Sequence, residues 1–161
     1  MKPKPYLLTS EGLERLTNKL NELKTSGREK LAERLHQAFQ DGQDDDFVDN
    51  AELEAARHEQ SIMEGQIQDL EAILSNYQLI DDLEVDKHSV NIGARVTVVE
   101  DGFDEEEVYQ LVGAAEADPI EGRISNESPL GRSLLGSKIG DMVRVSAPNG
   151  LIEFRVKKIE Y

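Results

Sequence analysis

The sequence predicts an α+β protein: an N-terminal antiparallel two-helix coiled-coil finger, then a β-rich domain with one short helix. Three observations predict it. Between residues 10 and 77, apolar side chains recur at steps of three and four, the period of helices with one buried stripe. Beyond Asp82 the pattern changes to β-branched and aromatic runs bounded by Gly and acidic turns, as strands require. Between the two helical stretches lies DGQDDDFVDNAELEAARHEQ, residues 41–60, which gathers Asp41, Asp44, Asp45, Asp46 and Asp49 with no basic residue before Arg57.

The first helix is expected to be capped by Ser10, with Leu13, Leu16, Leu20 and Leu23 forming its stripe. From there the stripe runs by fours through Gly27, Leu31 and Leu35 to Phe39. Steps of four shift the phase, and Gly27 costs about 1 kcal/mol against Ala in a helix interior, so a bend is expected there. Asp49 is expected to cap the second helix, with Glu52 closing a capping box. Its seam is Leu53, Ala56, Gln60, Met63, Ile67, Leu70, Leu74 and Tyr77, the narrow stripe of a coiled coil. Joined by a segment as short as 42–49, two such helices run antiparallel. At about 30 residues each and 1.5 Å per residue they make a finger roughly 45 Å long, with the aspartates at its tip.

Asp81, Asp82 and Glu84 read as a polar linker, which divides the chain into a finger at 1–80, its acidic tip at 41–52, and a globular domain at 81–161. Strands are expected at Arg95–Val99, Val108–Val112, Met142–Val145 and Ile152–Val156. Pro129 opens a short helix that ends near Gly136. Asn149-Gly150 signals a hairpin between the last two strands.

The chain has 161 residues and a net charge of -15, which argues against duplex DNA or an anionic membrane as the main partner. A cationic protein groove or a metal-bearing site suits that balance better. Absence of Cys excludes disulfides, zinc-thiolate sites and cysteine nucleophiles. The start, Met1-Lys2-Pro3-Lys4-Pro5, has no apolar segment after it, and no apolar run reaches the roughly 18 residues of a membrane span. A cytoplasmic protein is expected.

Carboxylates this close repel by about 1 kcal/mol per pair in water, so they are either a solvated loop or held out for something cationic. Asp41 to Glu52 has the length of a calcium loop, with acids at positions 1, 5, 9 and 12. Position 3 is Gln43, however, and position 6, where the turn needs Gly, is Asp46. His36, His58 and His88 are scattered, and neither a catalytic triad nor a phosphate loop is present. The remaining chemistry is that tip carboxylates complete a site on another molecule, sharing a divalent ion held there.

The chain resembles the Gre family of bacterial transcript cleavage factors, closer to the GreA type than to GreB. Leu-Thr-Ser-Glu-Gly at 8–12 and Asp-Phe-Val-Asp-Asn-Ala-Glu at 46–52 carry the likeness in the first half. So do Ala-Ala-Arg-His-Glu-Gln, Glu-Gly-Gln-Ile and Leu-Ser-Asn-Tyr-Gln-Leu-Ile-Asp. Ser-Pro-Leu-Gly-Arg-Ser-Leu-Leu-Gly at 128–136 and the closing Asn-Gly-Leu-Ile-Glu-Phe-Arg-Val-Lys-Lys-Ile-Glu-Tyr carry it in the second. The resemblance implies a coiled-coil finger and an FKBP-like globular domain. It implies a factor without catalysis of its own that binds RNA polymerase as a monomer, docking at the rim of the secondary channel. Asp46 and Asp49 would then be the two tip acids. They would share the polymerase active-site Mg2+ and promote hydrolysis at the 3′ end of the nascent RNA. Arg57 would face RNA, and Glu127, Ser128 and Pro129 would meet the polymerase rim.

Three departures concern the tip. Asp49 stands where the family has Glu; helix one and the tip carry about four more residues than a GreA template; and Gln40, Gly42 and Gln43 replace a stretch that usually holds a basic residue. Some Gre paralogues with Asp-rich tips inhibit polymerase, so a channel-occupying inhibitor is the alternative. A prolyl isomerase is a further one, with only Phe103, Tyr109, Phe154 and Tyr161 to line an aromatic pocket in the second domain.

Overall fold

The computed structural model describes residues 3–41 and 51–161. By its internal contacts the chain divides into two units, residues 13–75 and a second unit that joins residues 1–12 to 76–161. Residues 3–12 and 76–80, expected with the finger, thus pack in the globular unit.

The helical unit runs from α1 (Ser10–Glu22), whose first turn belongs to the globular unit, through a π-helical turn at Leu23–Gly27 into α2 (Arg28–Asp41), and returns as α3 (Ala51–Ser75). The π turn is the structural answer to the steps of four. It takes up an extra residue per turn, and so absorbs the phase shift that the steps of four impose around Gly27. Leu31, Met63 and Ile67 form the buried seam, with Leu20, Leu23 and Leu35 packed against it. Past the π turn the phase settles one residue earlier than the fours predict: Ala38 is buried, and Phe39 is exposed. On α3, Ala56, Met63, Ile67 and Leu70 are buried as expected, but Gln60 is exposed.

Helix α3 ends at Ser75, short of Tyr77, because the next three residues form a strand. Tyr77–Leu79 (β2) pairs in parallel with Tyr6–Leu8 (β1). The expected linker is likewise structured. Ile80 is buried at the start of a 3₁₀ turn, and Asp81 accepts the Ser10 hydroxyl proton at 2.5 Å. Ser10 is therefore not the helix cap. That role falls to Thr9, whose Oγ accepts the Gly12 N–H at 2.9 Å.

Among the described residues the globular unit carries a five-stranded sheet in the order β5-β4-β3-β7-β6. The strands are β3 (Arg95–Glu100), β4 (Glu106–Val112), β5 (Arg123–Ser125), β6 (Met142–Ala147) and β7 (Gly150–Glu160). All neighbours are antiparallel except β4 and β5. Alternation drives one face inward: Val96, Val98, Leu111, Val143, Val145, Phe154 and Val156 meet Leu134 of α4 (Pro129–Leu134) in a single core. The β6–β7 hairpin forms where expected, but Ala147 pairs with Gly150, which leaves Pro148 and Asn149 as the central turn residues.

Candidate functional site

Two regions hold the residues that the sequence singles out. The first is the α2–α3 hairpin. Its helices run antiparallel, since partners climb one helix as they descend the other: Lys24 with Glu71, Arg28 with Glu64, Arg34 with Glu59 and Glu52. Arg28 forks onto Glu64, donating from Nε and Nη2 at 2.8 Å each. This hydrogen bond is the main reason that the Glu64 carboxyl is held below its ordinary range, against the opposing effect of desolvation. The Arg34 guanidinium is held protonated beyond its usual firmness, first by the hydrogen bond to Glu52 and then by the charges of Glu52 and Glu59.

Asp46 and Asp49, with Asp44 and Asp45, lie outside the described residues, as does the expected cap at Asp49. Their flanks are described. Asp41 is the exposed last residue of α2, and Ala51 is the first of α3. Glu52 is engaged by Arg34 at 2.8 Å, so the acid that would close a calcium loop at its twelfth position already has a partner. Among the described residues no group of three or more His, Asp or Glu side chains could hold a metal ion.

Arg57 stands on the exposed side of α3, and its described ion pair is with Glu54 of the same helix at 3.8 Å. Such a pair is weak in water. The guanidinium is accordingly available to an anion.

The second region is the turn that leads into α4. Ser128 caps that helix: its Oγ accepts the Gly131 N–H at 3.0 Å and its hydroxyl donates to the Ser125 carbonyl at 2.7 Å. The Glu127 N–H donates to Ser125 Oγ at 3.0 Å. These bonds hold Glu127 and Pro129 exposed while Ser128 is half-buried. Gly131 is required here, because a β-carbon would fall 2.0 Å from the Ser125 carbonyl oxygen. The three residues therefore share one turn, but their roles differ: Ser128 builds it, and Glu127 and Pro129 are what it presents. Beside it opens a cleft of about 250 Å³ lined by Lys4, Tyr6, Gly113, Asn126 and Glu127, among others. Lys4 and Tyr6 are site neighbours that sequence reasoning missed, since it takes the close packing of β1 on the Gly113–Glu116 turn, where a β-carbon on Gly113 would fall 2.0 Å from the Leu7 carbonyl oxygen, to bring the N-terminal segment here.

The aromatic residues are spent elsewhere. Phe154 is in the core, Tyr109 packs against it, Phe103 is exposed, and the Tyr161 hydroxyl donates to the Ser89 carbonyl at 2.6 Å. This does not favour a prolyl isomerase.

Comparison with known proteins decides the family. The profile described as "Transcription elongation factor, N-terminal" matches residues 6–79, and "Transcription elongation factor, GreA/GreB, C-term" matches residues 85–161. The chain belongs to the GreA/GreB family. It is a transcription elongation factor of the GreA type by its relatives. The transcription elongation factor GreA of Acetivibrio thermocellus is 44% identical over 156 residues, covering 97% of this chain and 96% of that protein. GreA of Thermoanaerobacter pseudethanolicus is 43% identical, covering 97% and 98%. Among solved structures, GreA factor homolog 1 of Thermus thermophilus shares 29% identity over 98% of this chain and 100% of its own, with a TM-score of 0.44. The α+β fold expected for a GreA/GreB factor is the one observed. No described helix is long and apolar enough to cross a membrane.

Proposed function

We propose that this GreA/GreB factor binds bacterial RNA polymerase in the cytoplasm as a monomer, places its acidic tip in the secondary channel, and stimulates cleavage of the nascent RNA in backtracked complexes. The observation that carries this reading is the family match across both units, residues 6–79 and 85–161. The hairpin geometry supports it. Helices α2 and α3 are tied together by ion pairs as far as Arg34 and Glu52, so the acidic segment 42–50 is borne between two mutually fixed helices.

In this reading the protein is an accessory factor, and the hydrolytic centre belongs to the polymerase. Asp46 and Asp49 are hard oxygen donors of the type that suits Mg2+. A pair of carboxylates supplies only part of an octahedral shell, which fits an ion shared with the polymerase rather than one caged by this chain. When bound, that ion would lower the pKa of a coordinated water and offset charge on the scissile phosphate. Arg57 offers a guanidinium to the RNA backbone near its 3′ end, where bidentate phosphate contacts favour Arg over Lys. Glu127 and Pro129 present the docking surface at the channel rim, and Ser128 holds its shape.

The test is release of short 3′ RNA fragments from a purified backtracked polymerase complex. Added protein should release them and allow elongation to resume. An inhibitor would instead slow nucleotide addition and release none.

A further inference from the structure

Arg34 lies about two turns before the end of α2 and reaches α3 twice. Its Nε and Nη2 donate to Glu52 Oε1 at 2.9 and 2.8 Å, and its Nη1 donates to Glu59. Glu52 is in the first turn of α3, and Glu59 is in the third. One planar guanidinium thus fastens two turns of α3 to a single point on α2, a geometry that a compact ammonium does not reproduce.

Folding alone gives little reason for this arrangement. Exposed ion pairs add little stability, and the hairpin is already held by Leu31, Met63 and Ile67. Charge supplies the reason. Helix α2 ends on Asp41, α3 opens with Glu52 and Glu54, and the sequence between them adds four more aspartates. Like charges at this spacing push the two helix ends apart. Among the described residues Arg57, the next cation on α3, pairs within its own helix, with Glu54, and not with α2. The remaining cross-helix pairs, Arg28–Glu64 and Lys24–Glu71, lie farther from the acidic segment. Among the described residues Arg34 is therefore the last cation that joins the helices before residue 42.

Resting on the cleavage reading above, we propose that Arg34 is a positioning residue: it pins the first turn of α3 to α2 and so fixes the point from which the segment bearing Asp46 and Asp49 departs. A group that positions without touching the polymerase alters the maximal rate and leaves affinity alone.

The chain has no Cys, so nitroxide labels at Gln37→Cys and Ala55→Cys report this end of the hairpin without background. Inter-label distances are measured by pulsed EPR in wild type, Arg34→Gln, Arg34→Lys, Glu59→Gln and Lys24→Gln. Unlabelled versions are assayed for RNA release across factor concentrations. Arg34→Gln should broaden the distance distribution and lower the maximal release rate about tenfold, short of the roughly 10² that a displaced group can cost, with the half-saturating concentration unchanged. Arg34→Lys should recover part of both effects, Glu59→Gln should fall between, and Lys24→Gln should match wild type. An unbroadened distribution in Arg34→Gln overturns the proposal, and so does a loss confined to the half-saturating concentration. If wild type releases no RNA the cleavage reading falls and Arg34's role in it falls too; if wild type is active and Arg34→Gln equally so, only the positioning role falls.

Discussion

The carboxylate of Glu116 occupies the space that a β-carbon at residue 12 would need: built on Gly12, that carbon would lie 1.9 Å from Glu116 Oε2. Glu116 is buried, and it accepts the Thr9 N–H at 2.5 Å and the Thr9 hydroxyl proton at 2.8 Å. Thr9 in turn caps α1 at Gly12. A side chain from a sequence-distant turn thereby satisfies the start of the first helix, and glycine makes room for it.

Gly12→Ala should therefore destabilise by roughly 1–3 kcal/mol, through overpacking and a weakened bond network. Helix propensity alone predicts a gain of about 1 kcal/mol, so the two effects differ in sign. Gly65 is the control: it sits within α3 with open space where a β-carbon would go, and Gly65→Ala should stabilise by about 0.5–1 kcal/mol. In a Glu116→Ala background the Gly12→Ala cost should largely disappear. Denaturant unfolding of wild type, the three single variants and the double variant checks all of these.

Tyr109 should titrate late. Burial, then the hydrogen bond to Glu107 and its charge, push the phenol up to about 12. Because the folded pKa is raised above the unfolded value near 10, the unfolded state loses its proton first. The stabilisation is whole below about pH 10 and is lost as pH rises toward 12. The tyrosinate absorbance step missing from Tyr109→Phe should be centred near 12. In Glu107→Gln the same step should move down.

The docking turn separates shape from contact. Glu127→Ala and Pro129→Ala should weaken polymerase binding with unfolding midpoints unchanged, because both side chains are exposed. Ser128→Ala should instead cost about 1 kcal/mol of stability through the lost cap, and weaken binding by loosening the turn. Wild-type affinity in a folded Glu127→Ala/Pro129→Ala double variant would show that the polymerase meets another surface.

Legibility in the sequence follows the range of the interactions. The α3 seam from Leu53 to Leu74 and the four longer strands are readable because period and burial coincide over many residues. Strands β1 and β2 are not, since three residues carry no period and Tyr6 finds its partner only at Tyr77. Thr9 and Ser10 both have capping side chains, and remote partners decide between them: Asp81 takes the Ser10 hydroxyl, and Glu116 holds Thr9. The fours through Gly27 pose a phase problem that a π turn and a bend solve equally well on paper. At the candidate site, Ser128 and Pro129 are readable as a helix start, whereas the cross-helix reach of Arg34 needs the register of two helices. Asp46 and Asp49 rest on sequence alone.

Single-turnover release of short RNA from a backtracked polymerase complex, at saturating factor, tests most directly whether the tip carboxylates drive hydrolysis. Asp46→Asn and Asp49→Asn remove a charge with little change in shape. Each should lower the rate roughly a hundredfold or more, since several kcal/mol of metal stabilisation are involved and 1.36 kcal/mol is tenfold. Polymerase binding should persist, Asp44→Asn and Asp45→Asn should have small effects, and Asp49→Glu should equal or exceed wild type. Absence of release by both wild type and Asp49→Glu, from a complex that another cleavage factor rescues, would contradict the cleavage role; slowed nucleotide addition whose potency falls with each lost aspartate would identify an inhibitor instead.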